Sequence, residues 1–106
     1  MKNLIVCILG YRMVPNIQFI KEMRTPDTYF LFISNPEMEE DGIRDYIKKA
    51  FGIDRNELPP VVVDKYSSRE LEEELAKRNF ERFDKIMVNA SEGSPVMLNI
   101  TVEFFK

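Results

Sequence analysis

A chain of 106 residues, 44% apolar and 31% charged, has the size and composition of one globular domain. Its net charge of −3 and pI near 5.0 argue against a protein that coats DNA or RNA, and no apolar run nears the roughly 18 residues of a membrane span. With no His and a single cysteine, the chain can form neither an internal disulfide nor a Ser-His or Cys-His nucleophile pair, and it offers no donor set for a transition metal.

Residues 4–9 (LIVCIL) are a continuous apolar run rich in branched side chains, which predicts a strand covered on both faces and closed by Gly10. The start of the chain lacks a small-residue cleavage site, so it reads as a strand and not as a signal peptide. Cys7 inside this run reads as a small core residue, and a lone thiol fits a reducing cytoplasm, the expected location. Pro15 suits the first turn of a helix; Ile17, Ile20 and Met23 continue it, and Thr25-Pro26-Asp27 stops it. Residues 29–33 (YFLFI) predict a second buried strand, and Ser34-Asn35-Pro36 a helix start. Ile43, Tyr46, Ile47, Ala50 and Phe51 mark one face of an amphipathic helix, with Gly52 at its C-cap. Leu58-Pro59-Pro60 reads as a linker into a short third strand at 61–63.

Ser67 and Glu70 match a capping box. Leu71 and Leu75 anchor the helix behind it, and the acidic run at Glu70 and 72–74 reads as a solvated face near a helix start. Residues 85–88 predict a fourth strand ending at Asn89, with Phe80 and Phe83 packing under the turn before it. The tail from 95 to 105 carries two patterns. Apolar residues alternate as in a strand, while Ser94-Pro95 is a good N-cap and first helical residue. The βα alternation upstream favours the helix.

The pattern βαβαβαβα implies an α/β, Rossmann-like parallel sheet with right-handed crossovers and helices on both faces, in one domain over 1–106. The expected strand order is 3-2-1-4. It reverses between strands one and four, and ligands bind in such sheets at the carboxyl ends of the strands where the order reverses. Two loops open there. The first is 9–13, with Gly10 and Arg12; the second is 89–95, rich in small hydroxylated residues and glycine, leading into a helix N-terminus. Free amides and hydroxyls in the second can hold a phosphate, and Arg12 can add charge and a planar donor fork. Each residue also has a plain structural reading: Gly10 as a turn glycine, Arg12 as a solvated side chain, and Ser-Gly-Ser as a helix cap. Glu92 places a negative charge beside the proposed anion site. Gly10 has no G-x-G-x-x-G context for a nicotinamide site. Asp64 stands alone as a turn residue, which argues against a phosphorelay receiver.

The first strand with its glycine loop, the segment 14–22 (VPNIQFIKE), and the strand at 30–34 (FLFIS) resemble the opening of a CARF domain, the CRISPR-associated Rossmann fold. The nearest branch is the one whose members carry a restriction-endonuclease-like nuclease. Residues 88–97 (VNASEGSPVM) resemble that family's Asn-x-Thr-Gly-Gly-Thr-Lys loop and the helix after it, and the resemblance spans nearly the whole chain. It implies a homodimer that binds a cyclic oligoadenylate across its axis and switches an attached effector. By matching position, the ligand contacts are Gly10, Tyr11, Arg12 and Met13 from the first loop, and Asn89, Ser91, Gly93 and Ser94 from the second. Ser91 and Ser94 keep hydroxyls where the family has Thr; Glu92 replaces a Gly and Pro95 replaces the Lys. The family continues with further strands and an effector domain that this sequence is expected to lack. The sequence carries no nuclease motif, and no catalytic residue, cofactor or metal is expected.

Three readings stay open: a sensor of cyclic oligoadenylate, a ring nuclease acting through Arg12 and Ser91, and a degenerate domain kept for protein association.

Overall fold

The computed structural model describes residues 2–106. Strand β1 (Asn3–Ile8) lies at the centre of a parallel four-stranded sheet. It pairs on one side with β2 (Thr28–Ser34), Cys7 opposite Phe32, and on the other with β4 (Lys85–Asn89), Cys7 opposite Asn89. The short β3 (Val61–Val62) pairs with the end of β2, so the order is β3-β2-β1-β4, as the alternation of elements predicts.

The continuous apolar runs have the physical origin expected of them, because β1 is covered on both faces. Leu4, Val6 and Ile8 join Leu31, Ile33, Leu71, Leu75 and Met97 in one core. Ile5, Cys7 and Leu9 join Ile20, Phe30, Phe32, Met38 and Ile47 in the other. Each such fully buried Leu or Ile contributes about 1.5–3 kcal/mol relative to exposure. Cys7 is a core residue; burial pushes its thiol up to about 12, so it holds no thiolate at neutral pH.

The helices sort by face. Helix α1 (Val14–Met23), with Pro15 in its first turn, α2 (Pro36–Glu40) and α3 (Ile43–Phe51) supply the second core. Helices α4 (Ser68–Ala76) and α5 (Pro95–Phe104) supply the first and pack against each other. The tail is therefore helical. Among the described residues, no helix is long and apolar enough to cross a membrane.

The structure corrects several expectations. There are five helices among the described residues, not four, because the segment after β2 is broken at Gly42, whose φ of 69° lies in the left-handed region. Only Ile43 and Ile47 of the expected apolar face of α3 are buried; Tyr46 and Ala50 face outward. Strand β3 stops at Val62, while Val63 donates its amide to the Ser34 carbonyl at 3.1 Å as the chain leaves the sheet. The capping box of α4 is half made. The Ser67 hydroxyl accepts from the Glu70 amide at 3.3 Å, but the Glu70 carboxylate takes the Asp64 amide.

Candidate functional site

Because all four strands run the same way, the loops that follow them open on one end of the sheet. Between them lies a crevice of about 270 Å³, lined by Gly10 and Tyr11 after β1, Asn35 and Glu37 after β2, Lys65 and Tyr66 after β3, and Glu92 to Pro95 after β4. It sits where the strand order reverses, the position at which α/β sheets bind ligands. A larger cavity of about 560 Å³ lies at the opposite end, around Thr28 and the turn at Phe51 to Asn56. It is remote from both loops singled out by the sequence.

A buried amide chain fixes the crevice from below. The Asn16 side chain on α1 donates to the Ile8 carbonyl at 3.0 Å, and the Asn89 side chain at the end of β4 donates to Asn16 Oδ1 at 2.7 Å. Asn89 Oδ1 in turn accepts from the Ser91 amide at 3.3 Å and from the Ser91 hydroxyl. Polar groups this deep must be paired, and here the pairing locks the end of β1, the start of α1 and the β4–α5 loop into one unit. Glycine permits the close approach of the two loops. Gly93 takes a φ of 105°, and a Cβ there would overlap Ile8 Cγ2. A Cβ on Gly10 would lie 2.5 Å from Glu92 Oε2 and 3.2 Å from the Gly93 amide nitrogen.

Charges in the crevice occur as two opposed pairs. Arg12 Nε lies 2.6 Å from Glu92 Oε1; the arginine side chain is 76% exposed and the glutamate 10%. Despite that approach, Oε1 receives no aligned hydrogen bond. Across the crevice, Lys65 Nζ lies 3.0 Å from Glu37 Oε1, and the Tyr11 hydroxyl donates to Glu37 Oε2 at 2.9 Å. The Lys65 hydrogen bond, then that of Tyr11, holds the Glu37 carboxyl below the usual range. The same carboxylate raises Lys65 and the Tyr11 phenol above theirs. Lys65 Nζ also lies 5.3 Å from the centre of the Tyr66 ring. The crevice and its mouth thus carry two cations, each paired with a carboxylate, and two exposed tyrosines, which suits a ligand that joins anionic and aromatic groups.

The eight residues expected at the site separate by place. Gly10, Tyr11, Gly93 and Ser94 line the crevice. Arg12 stands at its mouth, held by Glu92, and Ser91 is exposed on the neighbouring turn. Asn89 is buried beneath the loop, and Met13 packs toward the α1 side of the core. Ser94 is the N-cap of α5, its hydroxyl accepting from the Met97 amide at 3.3 Å and donating to the Lys65 carbonyl. With Pro95 lacking an N–H, the start of α5 offers an anion fewer donors than an ordinary helix terminus. Sequence motifs did not reveal Asn16, Glu37, Lys65 or Tyr66. Topology could have flagged the last three, since every loop after a parallel strand opens on this end. Among the described residues, no group of three His, Cys, Asp or Glu could hold a metal ion.

The family model of the Card1 CARF domain matches residues 4–106. Among solved structures, Can2 from Sulfobacillus thermosulfidooxidans, determined in complex with cyclic tetra-adenylate, matches with a TM-score of 0.73 at 19% identity, over 97% of this chain and 29% of that one. The chain thus spans less than a third of that protein's length. No curated protein matches. With a family match over nearly its whole length, the chain belongs to the CARF domains, the CRISPR-associated Rossmann fold.

Proposed function

We propose that this domain is the sensing part of a CRISPR-associated protein. It binds a cyclic oligoadenylate in the crevice, two copies of the chain enclosing one ring about a twofold axis. The observation that carries the reading is the convergence of two cations, each paired with a carboxylate, and two exposed tyrosines at the reversal of strand order. Arg12 and Lys65 suit the phosphodiesters. Tyr11 and Tyr66, 64% and 70% exposed, suit adenine faces, and base stacking on an aromatic side chain is worth about 1–3 kcal/mol per base. Membership of the CARF domains supports this reading, as does the ligand held by Can2. A ring with internal symmetry fits a pair of identical crevices. The domain binds the ring and returns it intact, passing the signal to an effector.

Calorimetric titration of cyclic tetra-adenylate into the protein, with linear tetra-adenylate as control and the ligand recovered afterwards, tests this. The expected result is one intact ring per two chains. Arg12→Ala is expected to weaken binding by roughly tenfold or more, the loss of one charge-assisted contact. Absence of heat at high ligand concentration overturns the proposal for this ligand. A ring recovered as cut product replaces the sensor with a ring nuclease.

A further inference from the structure

The sequence places Glu92 where an acid opposes anion binding, and the structure gives it a definite partner. Its side chain is nine-tenths buried, one carboxylate oxygen lies 2.6 Å from Arg12 Nε, and that oxygen has no other polar partner. The other oxygen lies close over Gly10, where a Cβ would come within 2.5 Å of it. Burial of a carboxylate is costly unless it is paired, so the glutamate holds the arginine at this spot and the arginine neutralises the glutamate. Arg12 itself is largely exposed and loses little by leaving. The pair therefore breaks from the arginine side, and each break leaves the buried Oε1 of Glu92 without its counter-charge.

From this arrangement we infer that Glu92 is an internal competitor for Arg12: its carboxylate holds the guanidinium that a ligand phosphate would take, and it sets the affinity of the crevice by making anion binding an exchange of partners. This rests on the crevice being an anion site, as argued above, but not on the anion being a cyclic oligoadenylate. The acid is a specificity-determining residue. A ligand must return enough contact elsewhere in the crevice, to Lys65 or the two tyrosines, to offset the orphaned carboxylate. A small anion that reaches Arg12 alone cannot, and is rejected. Removing the negative charge lowers the threshold for both.

The test compares wild type, Glu92→Gln, Arg12→Ala and the double variant in calorimetric titrations with two probes, cyclic tetra-adenylate and inorganic tripolyphosphate. Glu92→Gln is expected to bind both probes more tightly, by roughly tenfold for one relieved charge, with the larger gain for tripolyphosphate. The gain is expected to vanish in the double variant. Tighter tripolyphosphate binding, lost in the double variant, while no protein binds the ring, upholds the inference and sinks the cyclic oligoadenylate reading. Equal or weaker binding of both probes by Glu92→Gln overturns the inference, as does a gain that survives the loss of Arg12. Failure of every variant to bind either probe overturns it too, since no anion site then exists. Melting curves of each variant show that the proteins compared are folded.

Discussion

Gly93→Ala is expected to cost about 3 kcal/mol or more of stability, the sum of a strained positive φ and an overpacked contact. The contact is with Ile8, a side chain with no exposed surface, held between β1 and the α4–α5 face of the core. Neither partner can retreat: Ile8 is fixed by packing, and the loop is fixed by the Asn89 and Ser94 hydrogen bonds. Gly42→Ala is the control. Its φ is also positive, at 69°, but nothing lies within 4 Å of the added Cβ, so only the backbone term of about 1 kcal/mol applies. Urea unfolding of both variants measures the difference at unchanged m-value. Equal losses would show that the β4–α5 loop is not locked onto β1.

The second large effect is expected at Asn16. Replacing it with Ala leaves the Ile8 carbonyl and the Asn89 amide without partners in a site closed to water. Two orphaned groups, at about 1–3 kcal/mol each, give an expected loss of about 2–6 kcal/mol. A cycle of Asn16→Ala, Asn89→Ala and the double variant is expected to show coupling of about 1 kcal/mol or more, because the two amides share one bond. Strict additivity would mean that each amide acts alone. The functional consequence follows from the same geometry. With the chain of amides broken, the Ser91 turn loses its anchor, and both loops of the crevice lose their fixed spacing.

Strands β1 and β2 were legible because a sheet covered on both faces demands uninterrupted apolar runs, and few other structures do. The order of the strands followed from the alternation of elements and the handedness of parallel crossovers. What escaped was set by tertiary contact. The break at Gly42 was hidden because the sequence offers a helix start at Asn35-Pro36 and a helical period from Ile43 to Phe51, with no proline between them to mark a stop. Asn16 reads in sequence as an ordinary polar residue on an amphipathic helix; only the approach of Asn89, 73 residues later, makes it a buried keystone. The charge of Glu92 was legible and its partner was not, since Arg12 and Glu92 meet only once β1 and β4 are paired. Lys65 and Tyr66 lie in a loop without a motif, and enter the crevice because the chain after β3 crosses above the sheet to reach Ser94.

On the proposed function, the ligand occupies the crevice at the carboxyl ends of the strands. Amide chemical shifts recorded while cyclic tetra-adenylate is added test it most directly. The expected result is a surface-contiguous set of perturbed amides at 9–13, 64–66, 91–94 and 96–97, with residues 24–28 and 51–56 around the larger cavity unmoved. Shifts centred on that opposite cavity, or none at saturating ligand, would contradict it.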